Sequence, residues 1–365
     1  MMSGGMVRLG YVQVLAAAAF ALSSALPVAA VAENVTTAGA VEGFVRPAYA
    51  ALHERAKAVV GDMDALCGGQ ASETLAVAQR DFVALVAAWS EIEIVRFGPI
   101  TEQNRLERIL FWPDRKSIGL KQVQAALADK DATATDPATL KDKSVAMQGL
   151  GALEFVLFGT GYEELRAPGD GYRCAYGRAI AENVEAIAGE VDREWRDPAG
   201  IAGQWANPEA GNPLYRNDTE AVTELFDVIV HGLELTRDVR LNGFLGEAAS
   251  DDKPKQAVFW RSAATIVSLR ANLQGQRKLF EASGLGALLP AGSAWIAESI
   301  DFEFGTADTI LGRVDGPVPE VLADAERRGG LAAVRLITSH LSELFGTGLA
   351  GELGLTAGFS SLDGD

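Results

Sequence analysis

Apolar residues recur along this chain at steps of three and four. Phe44, Ala48, Leu52, Ala56, Val59, Met63 and Leu66 form one series, and Leu75, Ala78, Phe82, Leu85, Trp89 and Ile92 a second. Ile180, Val184, Ile187, Val191 and Trp195 form a third. In the second half Val222, Phe226, Ile229 and Leu233 repeat the pattern, as do Leu331, Val334, Ile337, Leu341 and Leu344. At 3.6 residues per turn each series falls on one face, so each predicts a helix with a single buried stripe. No sustained period-two alternation bounded by turn pairs occurs, so strands should be scarce.

Breaks divide these helices. "CGGQAS" (67–72) ends the first and offers Ser72 as the N-cap of the next, and "FGPI" (97–100) stops the second because Gly98-Pro99 cannot continue a helix. "FWPDRKS" (111–117) and "GTGYEELRAPGDGY" (159–172) are further breaks. The longest irregular stretch, 196–218, is rich in Gly, Pro and Asn, and loops of that length commonly separate domains or carry function. The pattern therefore predicts an all-α chain of two tandem antiparallel helical bundles: residues 41–196, a linker over 197–217, residues 218–350, and a tail over 351–365.

The N-terminus breaks the amphipathic pattern. One basic residue, Arg8, precedes an apolar run to Leu26, and Ala30-Val31-Ala32 closes it. That order is a secretory signal peptide over residues 1–32, cleaved before Glu33. Pro27 and the small-residue exit argue against a retained membrane anchor, and no later segment has 18 uninterrupted apolar residues. The mature chain is expected to be exported, in the periplasm. Export places Cys67 and Cys174 in an oxidising compartment, where two cysteines read first as one disulfide rather than as two free thiols. The formal charge of −17 argues against nucleic acid as a partner, because phosphate binding needs a basic surface.

Hydrolase and nucleotide-binding signatures are missing: there is no G-x-S-x-G, no H-E-x-x-H, no P-loop and no G-x-G-x-x-G. Of the three histidines, His231 and His340 each begin an H-x-x-E, with Glu234 and Glu343, and i, i+3 residues share a helix face. Such pairs arise readily by chance, and capping or surface roles account for most of them. One carboxylate stands out. Glu154 lies in the apolar run "LGALEFVLF" (150–158), where an unpaired charge would be costly. It is expected to be buried and neutralised by an arginine, with Arg96, Arg105 and Arg108 as candidates.

Five stretches, taken together, resemble the imelysin-like family of exported bacterial proteins: "FVRPAYAAL" (44–52), "RFGPITEQNRLERILFWPD" (96–114), "AMQGLGALEFVLFG" (146–159), "CAYGRAIAENV" (174–184) and "GLTAGFSSLDGD" (354–365). The resemblance implies an all-helical, two-domain cell-envelope protein linked to iron uptake; some members carry a metallopeptidase label. The family's hallmark is G-x-H-x-x-E, proposed to bind metal near the domain interface. Here Gly149 matches its glycine and Glu154 its glutamate, but Gly151 stands where the histidine would be. A lone carboxylate would hold iron or another divalent cation weakly, since hard ions need several oxygen ligands and catalytic zinc needs three protein ligands. What the resemblance implies is then a non-enzymatic binding component of iron acquisition, taking a metal, a metal chelate or a partner among the envelope's iron-uptake proteins. Its ligand-binding residues would be Glu154 with Arg96, Arg108 and Trp112, meeting at the mouth of the first bundle. Gly149 and Gly151 would let another helix approach, at ~1 kcal/mol each in helix propensity against alanine. The alternatives are a metallopeptidase and an envelope interaction or glycan-binding module.

Overall fold

The computed structural model describes Met1 and residues 36–69, 71–167 and 171–355. The signal peptide and its cleavage site, Ser72 as a capping side chain, and most of the C-terminal motif lie outside the described residues. Among those described there is no strand; the chain is all-α.

Numbering the α-helices of five or more residues, the first half contains α1 (Arg46–Cys67), α2 (Ala71–Ile92), α3 (Arg105–Ile109), α4 (Ile118–Asp129), α5 (Leu150–Phe158) and α6 (Tyr172–Arg196). The long helices α1, α2 and α6 pack side by side, and the stripes read from the sequence form their contacts. Leu52, Val59, Met63, Phe82, Trp89, Val184 and Trp195 are all buried. Cys67 at the end of α1 and Cys174 at the start of α6 form the expected disulfide, with Cα atoms 5.6 Å apart and 107 positions between them. Closing so long a loop stabilises the fold by up to ~4–5 kcal/mol in the chain-entropy view.

The second half contains α7 (Ile201–Ala206), α8 (Asp218–Glu234), α9 (Thr265–Ser283), α10 (Trp295–Leu311), α11 (Val318–Ala323) and α12 (Ala325–Glu343). Two of its helices run on into π-helical turns, α8 through Leu235–Leu241 and α12 through Leu344–Leu349. Asn217 caps α8 by accepting from the Glu220 amide, and Asp324 caps α12 by accepting from the amides of Glu326 and Arg327.

The segment read as a linker, 197–217, is a packed piece of structure. It contains α7, whose Trp205 is fully buried, with its ring 5.0 Å from Phe97 and 6.4 Å from Trp195. Its indole nitrogen donates to the carbonyl of Ala221 in α8. Glycine, proline and asparagine signalled a connection; the large aromatic among them anchors it to both halves.

The two halves also meet directly, along α2 and α9. Gly275 lies so close to the end of α2 that a Cβ there would sit 2.0 Å from the Glu91 carbonyl. Beside it lies a buried polar layer. Ser90 and Ser268 share a hydrogen bond of 2.7 Å, Asn272 donates to the Ser90 carbonyl, and Glu93 pairs with Arg240 from the π turn after α8. All of these side chains are buried.

Candidate functional site

The helix holding Glu154, α5, is apolar on every side and is buried from Leu150 to Leu157 except at Gly151. Its entry is fixed by Gly149, in extended backbone ahead of the first turn. A Cβ at Gly149 would lie 2.3 Å from the Ile109 carbonyl oxygen and 2.4 Å from that of Arg108, so only glycine lets α3 pass there. Gln148 just before it is fully buried and donates to the carbonyls of Lys141 and Lys143. Arg108 donates to the Gln148 side chain at 2.9 Å and to Asn183 of α6 at 2.5 Å. This arginine braces the start of α5 and does not contact Glu154.

Gly151 behaves differently from Gly149. Nothing lies within 4 Å of where its Cβ would be. The close helix approach expected at both glycines holds at Gly149 only; at Gly151 the missing side chain leaves open space, and that space is part of a pocket lined also by Trp112, Glu154, Phe155, Trp260 and Arg261. The pocket has a volume of about 110 Å³.

Glu154 is 3% exposed. None of Arg96, Arg105 or Arg108 neutralises it, contrary to the sequence-based expectation. Arg96 is an exposed side chain near Glu107. Arg105 binds Glu194 at 2.9 Å, Glu190 at 3.1 Å and the carbonyl of Pro99. The partners of Glu154 come from the other half of the chain, in the turn preceding α9. Phe259 and Ala263 both adopt positive φ, 57° each, and the turn between them presents two successive amides. The amides of Arg261 and Ser262 donate to Glu154 Oε1 at 3.1 and 3.0 Å, and the Ser262 hydroxyl donates at 2.8 Å. Burial pushes the Glu154 carboxyl above its ordinary value, and these hydrogen bonds together with the Arg261 charge pull part of the way back. All three hydrogen bonds converge on Oε1; Oε2 forms none among the described residues.

Around the carboxylate the pocket is aromatic and cationic. The Arg261 guanidinium carbon lies 4.5 Å from the Trp260 ring centre and 5.5 Å from that of Phe155. The Lys255 ammonium lies 5.9 Å from the same Trp260 ring. These cation–π contacts hold two positive charges beside a cavity without consuming them in ion pairs. Of the four residues expected to cluster, the structure brings Trp112 and Glu154 into one pocket, gives Arg108 a bracing role behind it, and leaves Arg96 outside. Lys255, Trp260, Arg261 and Ser262 were missed. The signal for the last three was the run "FWRS" (259–262), in which a cation follows two aromatics just ahead of a helix.

The donor set does not fit a metal ion. Glu154 offers one uncommitted oxygen, no imidazole accompanies it, and two cations stand beside it. Among the described residues no group of three or more His, Cys, Asp or Glu side chains could hold a metal. His340 binds Glu303 at 2.7 Å on the surface and His53 binds Glu185 at 2.8 Å on α6; neither these nor His231 line the pocket.

Comparisons with known proteins agree with the arrangement of helices. A family model described as imelysin matches residues 45–344. Among solved structures, an imelysin-like protein from Psychrobacter arcticum 273-4 aligns with a TM-score of 0.74 at 18% identity, over 91% of this chain and 98% of that one. A protein from Parabacteroides distasonis ATCC 8503, described as an iron-regulated protein A precursor, aligns with a TM-score of 0.73 at 14% identity, over 90% of this chain and 97% of that one. The search of curated proteins finds no match.

Proposed function

The chain belongs to the imelysin family, and we propose that it is a non-enzymatic, periplasmic binding component of iron acquisition whose pocket at Glu154 takes the anionic group of a metal chelate. The observation that carries this reading is the company Glu154 keeps. The family's glutamate is present, but its surroundings are two cations stacked on Trp260 and an open space at Gly151. Such a pocket attracts negative groups and offers a bare cation one carboxylate oxygen. Export is supported by the N-terminal signal pattern, and the iron connection by family membership and by the iron-regulated relative of similar fold. A zinc peptidase needs three protein ligands and an activated water, and nothing near Glu154 supplies them.

Calorimetric titration of the chain lacking residues 1–32 tests this. Ferric citrate should bind, while ferrous, calcium and zinc chlorides should give no heat and no change in thermal stability. Binding of a bare ion that is lost in Glu154→Gln would overturn the chelate reading in favour of a metal site.

A further inference from the structure

The Glu154 pocket does not end at Trp112. Trp112 also lines a second chamber of about 340 Å³, between the 112–117 loop of the first half and residues 238–256 of the second. Trp112, Asp114, Ser117 and Lys255 line both chambers. The outer chamber adds Arg115 and Asp238. The two chambers adjoin through these shared residues: the one lined by buried Glu154 is the inner, the one lined by exposed Arg115 the outer, and Lys255 lines both.

The charges of this cleft are unevenly committed. Asp114 spends both oxygens on the start of α4, accepting from the amides of Ile118 at 2.7 Å and Leu120 at 3.1 Å. Asp238 spends both on the fork of Arg237, at 2.9 and 2.7 Å. Glu154 has Oε1 filled by three donors. The cations are not so occupied. Among the described residues, Arg115, Lys255 and Arg261 form no ion pair, although the chain as a whole carries a charge of −17. In so acidic a protein, three cations that converge on the seam from both halves without an ion pair, only Arg261 acting on a carboxylate through its charge on Glu154, mark a place left for an external anion. Their distribution sets its shape: Arg261 serves the inner chamber, Arg115 the outer, and Lys255 both.

We propose that the cleft recognises a small polycarboxylate, with one carboxylate in the inner chamber against Arg261 and Lys255, and a second in the outer chamber against Arg115. This rests on the chelate reading above and sharpens it by naming the chelator's chemistry. A guanidinium presents paired N–H donors that match a carboxylate, and an ammonium adds a mobile charge between the two sites. Burial disfavours the charged form of Glu154, which lessens its repulsion of an inner carboxylate.

The test uses iron-free acetate, succinate and citrate, then ferric citrate and a neutral ferric hydroxamate, titrated into the chain lacking residues 1–32 at pH 7. Succinate and citrate should bind at least tenfold tighter than acetate. Arg115→Ala, on an exposed loop, should remove that advantage and leave the melting temperature unchanged. Equal affinity for one, two and three carboxylates, no response to Arg115→Ala, or no binding at all would overturn the proposal. Citrate binding without ferric citrate binding would retain this recognition and sink the iron reading. Hydroxamate binding without carboxylate binding would do the reverse. Inorganic phosphate competing as well as citrate would also overturn it, by showing a site for any polyanion.

Discussion

At the scale of single residues, the two glycines of the motif separate by what surrounds them. Gly149→Ala would press a methyl group into two backbone carbonyls of α3, neither of which can rotate away. Denaturant unfolding should register a loss of about 2–3 kcal/mol. Gly151→Ala meets nothing, so it should be neutral or stabilising by up to ~1 kcal/mol, and should weaken ligand binding by narrowing the pocket. Equal destabilisation by the two substitutions would contradict the distinction. Glu154 makes a pH-dependent prediction. Its folded-state carboxyl lies above the ordinary value of 4.5, so the folded chain holds a proton that the unfolded chain releases. Its contribution to stability is therefore full below about pH 4.5 and declines as pH rises toward the folded value. Glu154→Gln keeps the acceptor for the Ser262 and Arg261 amides and removes the titration. The melting temperature of the variant, relative to the parent, should rise from pH 4 to pH 7, whereas a flat difference would show that Glu154 titrates as it does in water. The sequence made the burial of this carboxylate legible, because an acid inside "LGALEFVLF" has nowhere else to go. Its partners were not legible, since backbone amides carry no signature in residue type and lie 107 and 108 positions away.

At the scale of elements, the helices were readable because their stripes are regular, and the buried side chains of α1, α2, α6 and α8 are those the spacing selects. The seam between α2 and α9 was not readable. Its polar layer interrupts apolar stripes, and in a sequence Glu93 looks like any surface glutamate one turn beyond Trp89. In the fold Glu93 and Arg240 are 2% and 3% exposed and pair with one another. Separating charges buried to that degree leaves one of them uncompensated, which costs ~3–5 kcal/mol. Glu93→Leu and Arg240→Met should each destabilise by about that amount. The double variant should cost less than the sum, with a coupling of at least ~1 kcal/mol in a double-mutant cycle. Strict additivity would mean that the pair contributes nothing as a pair. The Ser90–Ser268 and Asn272–Ser90 hydrogen bonds would remain in the double variant, so its helices should keep their register.

At the scale of the whole molecule, composition and punctuation argued for two bundles with a linker between them, and physical contacts argue for closer union. The N-terminal segment crosses to the second half, where Gly39 and Gly43 lie against Ala282: Cβ atoms there would sit 2.5 Å from its carbonyl oxygen and 2.9 Å from its methyl. Trp205 joins Phe97 and Trp195 to α8, Gly275 seats α9 on the end of α2, and among the described residues the second half supplies the three hydrogen bonds that the Glu154 carboxylate accepts. Among the described residues, all buried apolar side chains but Leu235 and Ala271 form one continuous cluster from Ala40 to Ala350. A chain built in this way should unfold as one cooperative unit, despite a length at which separate domains are common. Scanning calorimetry of the chain lacking residues 1–32 should show a single transition with calorimetric and van't Hoff enthalpies in agreement. The isolated segment 41–196 should bind denatured-state dyes and lack a sharp transition, because cutting after residue 196 exposes the α9-facing side of α2 and strands Glu93 without Arg240. Two resolved transitions, or a cooperatively folded 41–196 fragment, would show instead that the halves are autonomous and that the seam is a docking surface. The candidate site would then open and close with the angle between two bodies. On the single-unit view its geometry is fixed by the core, and ligand binding should leave the small-angle scattering profile unchanged.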